Sequence, residues 1–138
     1  PLAVLVHAIH MSGFEALDTA VVVGAGPIGM LCGIMLKHAG ASKIFISDVV
    51  EKRLEIAEEL GFIPVNPAKE NLEGVVKDAT NGEGCDVFFE CSGAAVPAMQ
   101  MTDITRVLQR TDSGWNKSIY ERRIRKSCRT YKRIRSRT

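Results

Sequence analysis

Thr19-Ala20-Val21-Val22-Val23-Gly24-Ala25-Gly26-Pro27-Ile28-Gly29 runs from a β-branched apolar segment through a glycine-rich turn into a helix start, and Asp48 follows nineteen residues after Gly29. A strand, a GxGxxG turn, a helix and then a carboxylate at that distance form the arrangement that cradles a dinucleotide. Each glycine has its own task. Gly24 permits the tight turn off the strand, Gly26 lets main chain approach a diphosphate, and Gly29 lets the helix lie close on the strand. A side chain at Gly26 would stand where the phosphate belongs. Pro27 suits the first helical turn, because its missing N–H removes a donor with no intrahelical partner and its fixed φ is helical. The remaining amides and the positive end of the helix dipole make an anion site that needs no lysine.

The flanks support that reading. After the glycines, Ile28, Leu31, Cys32, Met35 and Leu36 recur at helical spacing until Gly40 ends the pattern. Lys43-Ile44-Phe45-Ile46-Ser47-Asp48 is then a short strand closing on a carboxylate, the place from which a second strand offers an acceptor to ribose hydroxyls. Asp48 is also placed to cap a helix starting near Glu51, and the two roles are compatible. Upstream, Leu2, Leu5, Val6, Ile9 and Phe14 make an apolar stripe on a helix over 2–14. Downstream come a helix from Glu51 to Leu60, a strand from Phe62 to Val65 closed by Asn66-Pro67, a helix around Glu70 to Ala79, and a strand from Asp86 to Cys91. Ser92-Gly93 then turns at a strand end, either on the ligand side or as a plain tight turn. Strands joined by crossover helices pair in parallel. The predicted fold is therefore α/β, a doubly wound Rossmann-type sheet in the order 3-2-1-4, truncated after the fourth strand. Strand four becomes an exposed edge, and its Val87-Phe88-Phe89 run predicts poor solubility or association of the isolated chain.

With 138 residues and 46% hydrophobic content, the chain has enough apolar matter for one domain with a real core. No apolar run approaches the roughly 18 residues of a membrane span. Pro1-Leu2-Ala3-Val4-Leu5-Val6 lacks the basic leader and cleavage site of a signal peptide, and the chain starts without Met, as a fragment would. Cys32, Cys85, Cys91 and Cys128 form no CxxC pair, and Cys85 and Cys91 on one strand would stand about 20 Å apart. A reducing, cytoplasmic setting is expected. The net charge of +2 hides a division: residues 1–106 carry seven Lys/Arg against fourteen Asp/Glu, whereas residues 107–138 carry eleven against two. The chain has two unlike parts, an expected coenzyme domain over 1–106 and a basic tail over 107–138.

Several further pieces carry a family resemblance. Pro1-Leu2-Ala3-Val4 before a helix with His7, Gly24-Ala25-Gly26-Pro27-Ile28-Gly29, Lys37-His38-Ala39-Gly40-Ala41, Asp48 with Arg53, Glu59-Leu60-Gly61 and Glu90-Cys91-Ser92-Gly93 occur in order. Through them the segment resembles the coenzyme domain of medium-chain, zinc-dependent alcohol and polyol dehydrogenases, especially the sorbitol, butanediol and threonine dehydrogenase branch. The resemblance implies that Ile28 packs on the coenzyme, that Asp48 binds the adenosine ribose and that Arg53 contacts the same region. It implies an intact enzyme that is a homo-oligomer and oxidises a secondary alcohol or polyol with zinc. The family's cysteine, histidine and glutamate zinc ligands are not in this sequence, and no catalytic residue is assigned. His7 and His10 lie three apart on one helix, but two ligands without a third are a poor site, and both are read as structural. NAD is expected over NADP, because a like-charge pair near 4 Å costs roughly 4 kcal/mol at an effective dielectric of about 20. A 2′-phosphate beside Asp48 would be repelled, Arg53 offsets this only in part, and Val49 and Val50 supply no phosphate donors.

Past Thr105-Arg106 the family pattern stops, and Gln109-Arg110-Thr111-Asp112-Ser113-Gly114-Trp115 leads into the basic tail. A change of reading frame or a chimeric join near Val107, giving a disordered extension, accounts for the abrupt loss of strand patterning. The alternative is a nucleic-acid arm, in which arginines and lysines from Arg122 to Arg137 meet phosphates while Trp115, Tyr120 and Tyr131 stack on bases. On a helix, Tyr120, Ile124, Cys128, Tyr131 and Ile134 would share one face, which could instead meet a membrane or a partner.

Overall fold

The structure is a computed structural model and describes residues 2–93 and 103–105. The expectations placed on the 107–138 tail lie outside the described residues. Eight elements follow in order: α1 (Leu2–Ser12), β1 (Thr19–Val23), α2 (Pro27–His38), β2 (Lys43–Ser47), α3 (Glu51–Glu59), β3 (Ile63–Val65), α4 (Leu72–Ala79) and β4 (Val87–Glu90). The strands form one parallel sheet in the order β3-β2-β1-β4, as the sequence predicts. β1 is central, with Val21 opposite Phe45 on one side and Phe88 on the other. At the outer strand, Pro64 stands opposite Ile46 and Val65 opposite Ser47.

Alternation along these strands divides the core in two. Ala20, Val22, Ile44, Ile46 and Phe89 face α1, α2 and α3, where they meet Leu5, Cys32, Leu36, Ala57 and Phe62. Val21, Phe45, Val65 and Phe88 face the other way, onto Val76, Cys85 and Ile104. Being covered on both faces explains why the strands read as unbroken apolar runs.

Element ends move for local reasons. α1 ends at Ser12, not at residue 14, because the Ser12 hydroxyl donates to Ile9 O and accepts from Phe14 N–H while Gly13 turns at φ 72°. Its stripe is also narrower than expected, since Leu2 and Val6 are exposed and only Leu5 is fully buried, with Ile9 and Phe14 packed beside it. α4 begins at Leu72 because the Asn71 side chain accepts from Glu73 N–H at 3.0 Å and caps it. α3 is held at its far end by Lys37, whose ammonium donates to Leu60 O at 2.7 Å.

β4 is the outer strand of the described sheet, as expected, and the residues just before it are held by a further segment. Cys85 N–H donates to Ile104 O at 2.9 Å, and Cys85 and Thr105 form a parallel bridge, so residues 103–105 lie against the approach to β4. Val87, Phe88 and Phe89 are all buried.

Candidate functional site

Parallel strands that cross over on opposite faces leave a crevice at their carboxyl ends, between the central strand and its neighbours. Here the ends of β1, β2 and β4 and the loop after β3 enclose about 950 Å³. Gly24, Gly26, Asp48, Arg53 and Ser92 line this crevice, as do Val49, Val50 and Cys91. Pro27, Ile28, Gly29 and Gly93 do not line it: Pro27 and Ile28 open helix α2, Gly29 is buried against β1, and Gly93 continues the turn after β4. The side chain of Ile28 is exposed.

The glycines differ in what surrounds them. Gly24 has φ +98°, a left-handed conformation, and a Cβ there would lie 2.6 Å from Ser92 N. Gly29 abuts the turn so closely that a Cβ would stand 1.8 Å from Gly24 O. A Cβ on Gly26 would meet nothing within 4 Å. It points into open space at the helix N-terminus, where Gly26 caps α2 in an extended conformation without a side-chain hydrogen bond. The first amides of a helix have no intrahelical acceptors, so this is a main-chain cradle open to an anion.

Asp48 follows directly on β2 and reaches across to that cradle. Its Oδ2 accepts from Ala25 N–H at 2.8 Å and from Arg53 Nη1 at 3.4 Å, while Oδ1 accepts from Val50 N–H at 2.9 Å. The carboxylate therefore ties β2 to the glycine turn and also fixes the entry to α3. It is not the helix cap itself, which is Val50. Burial would raise the Asp48 pKa, but the Val50 and Ala25 amides and the Arg53 guanidinium prevail and hold it below the ordinary value. A carboxyl with a lowered folded-state pKa contributes stability that is complete above its unfolded value near 3.9 and is lost as pH falls through the folded value. We expect Asp48→Asn to lower the denaturation midpoint at pH 7, with the gap to the native chain closing progressively towards pH 3. Urea titrations at each pH check this, and a gap independent of pH would contradict it.

Sequence reasoning missed the loop after β3. Pro67, Ala68, Lys69, Glu70 and Asn71 line the crevice opposite Asp48. Glu51 Oε1 fastens this loop to α3 by accepting from Asn66 Nδ2 and pairing with Lys69 Nζ, both at 2.6 Å. The clue was Asn66-Pro67 closing a strand, since every such strand end faces the crevice. Also missed was the packing of Cys91 against the cluster that holds Cys32, because Cys32 on α2 and Cys91 just after β4 lie far apart in sequence. Among the described residues no three His, Cys, Asp or Glu side chains come together as metal ligands. The described residues therefore offer zinc no fitting ligand set. Nor is any helix among the described residues long and apolar enough to cross a membrane.

Comparison with known proteins finds a matching family model, relatives and solved folds. Residues 27–108 match the family model described as zinc-binding dehydrogenase. The chain is 42% identical over 102 residues to (R,R)-butanediol dehydrogenase of Saccharomyces cerevisiae, covering 70% of this chain and 26% of that one. Among solved structures it is similar to 2R,3R-butanediol dehydrogenase from Bacillus subtilis, with a TM-score of 0.71 and 39% identity over 78% of this chain and 31% of that one. It is also similar to a zinc-binding dehydrogenase of Sinorhizobium meliloti 1021 bound to NADP, with a TM-score of 0.67 and 28% identity over 77% and 32% of the two chains. The chain thus spans about three-tenths of the length of these relatives.

Proposed function

Because the chain belongs to the zinc-binding dehydrogenase family, we propose that it is the coenzyme-binding portion of an NAD-dependent oxidoreductase whose whole protein oxidises a secondary alcohol or polyol. The observation that carries this reading is the bond from Ala25 N–H to Asp48 Oδ2, which sets an acceptor beside the open cradle at Gly26. Gly26 and the amides of the first turn of α2 hold the diphosphate, with Gly24 and Gly29 shaping the turn and Pro27 and Ile28 starting the helix. Asp48 accepts from the adenosine ribose, and Arg53 steadies its carboxylate. Ser92 borders the far side of the bound nucleotide, and Gly93 continues the turn that carries it. When bound, NAD supplies the hydride acceptor. The chain divides into a coenzyme domain over 1–106 and a basic tail over 107–138, a reading supported by the family match ending at residue 108. Catalytic and zinc-binding groups belong to the remainder of a longer protein, and this portion alone turns over no alcohol.

The lowered pKa keeps Asp48 charged at neutral pH, which favours a ribose hydroxyl over a 2′-phosphate. Calorimetric titration of the full chain should give measurable NAD binding and weaker NADP binding. Asp48→Ser loosens the turn and so weakens both nucleotides, but it should shrink the NAD/NADP affinity ratio by about tenfold or more, since the removed repulsion is of kilocalorie size. An unchanged ratio would rule out the assigned role. Absence of any heat with well-folded protein would overturn the coenzyme reading itself.

A further inference from the structure

Cys91 follows β4 and lines the crevice, half-buried, while Cys32 lies on α2 with no exposure. Their separation in sequence hides how the fold brings them together. A Cβ built on Gly29 would be 3.5 Å from Cys91 Cβ. Cys32 is one helical turn further along the same face, where side chains lie about 5–6 Å apart. Cys91 packs against the core cluster that contains Cys32, and each thiol perturbs the ionisation of the other. Both are free thiols. We propose that Cys91 and Cys32 form a thiol–disulfide pair beneath the coenzyme crevice, in which Cys91 reacts with a small disulfide and Cys32 resolves the adduct.

The environment divides the labour. Interaction with the Cys32 thiol lowers the Cys91 pKa, outweighing burial and the charge of Glu90, whereas the same interaction, burial and the Cys91 charge raise that of Cys32. The more acidic thiol is the one that reaches solvent, and it becomes the nucleophile. With oxidised glutathione, the Cys91 thiolate attacks one sulfur, forms a Cys91–glutathione disulfide and releases glutathione thiolate, which takes a proton from water. Cys32 then gives its proton to solvent, and its sulfur attacks Cys91 Sγ. That closes the Cys32–Cys91 bond and releases the second glutathione. Two protein thiols are oxidised by two electrons, and oxidised glutathione is reduced to two thiols. Resting here on the coenzyme reading, a nucleotide seated over Gly24 and Gly26 covers Cys91 and slows the first step.

The test incubates the reduced full chain with oxidised glutathione, alkylates the remaining thiols and maps the peptides by mass. The expected product joins the Cys32 and Cys91 peptides with loss of two hydrogens, while Cys85, whose thiol burial pushes up to about 12, remains alkylated. Cys32→Ser should halt at a glutathione adduct on Cys91, and Cys91→Ser should leave Cys32 unmodified. Peptides that stay unlinked in the native chain, linkage of either thiol to Cys128 instead, or equal reaction at Cys85 would overturn the pair without needing a variant. Saturating NAD should slow linkage by about tenfold or more. If NAD gives no binding heat with the reduced chain while linkage still forms, the coenzyme reading fails and the thiol pair stands. Binding of NAD with no slowing overturns the shielding.

Discussion

Gly29→Ala is expected to yield little folded protein. The added methyl would stand 1.8 Å from Gly24 O and 2.9 Å from Gly24 C, both main-chain atoms of the turn between β1 and α2. No side chain can swing aside to relieve this contact, so the start of α2 must lift from the sheet. Ordinary overpacking costs about 1–3 kcal/mol. A methyl forced against main chain, at the helix that carries Cys32 and Leu36 into the core, belongs at or beyond the top of that range. Against a total stability of about 5–15 kcal/mol, this is a large fraction. Urea denaturation followed by far-ultraviolet circular dichroism checks it. A midpoint within error of the native chain would show that the helix does not lie on the turn as described.

Gly26→Ala should do the opposite: fold nearly normally and lose the nucleotide. A Cβ there meets no protein atom within 4 Å, and Gly26 has an ordinary extended conformation at φ −72°. The change costs at most about 1 kcal/mol, from the poorer capping of alanine. The same methyl fills the space a diphosphate needs, and NAD affinity should fall by about a hundredfold or more, equivalent to roughly 2.7 kcal/mol. Thermal unfolding and calorimetry on one preparation separate stability from binding. Retained affinity with retained stability would remove the diphosphate from this turn. Two glycines three residues apart thus answer different questions, one about packing and one about the ligand.

Most of the sheet was legible because its strands are β-branched and apolar on both faces, and because Gly40, Gly61 and Asn66-Pro67 punctuate the crossovers. The glycine turn with Asp48 was legible for a different reason: it is local, and its spacing follows from the length of one helix and one strand. What stayed hidden depends on contacts between distant segments. Asp48 was expected to serve a ligand, but its bond to Ala25 depends on β2 lying beside β1 in register. The loop of Pro67 to Asn71 is polar and unpatterned, and only the pairing of Lys69 with Glu51 reveals what it faces. Periodicity gave α1 a full apolar stripe, yet Leu2 and Val6 are exposed because the helix offers only part of that stripe to α2. Cys32 on a helix and Cys91 just after a strand pack together across 59 residues of chain, a relation that cysteine spacing does not express.

Pro64 has a consequence for how copies of this chain can associate. Val65 O accepts from Asp48 N–H, so Val65 points its polar main-chain groups inward, towards β2. Neighbouring residues of a strand present those groups to opposite sides, which leaves Pro64 presenting outward. The middle residue of β3 therefore has no amide hydrogen to offer an incoming strand. On the β3 flank of the described sheet, a single ring thus removes a donor that an added strand would need.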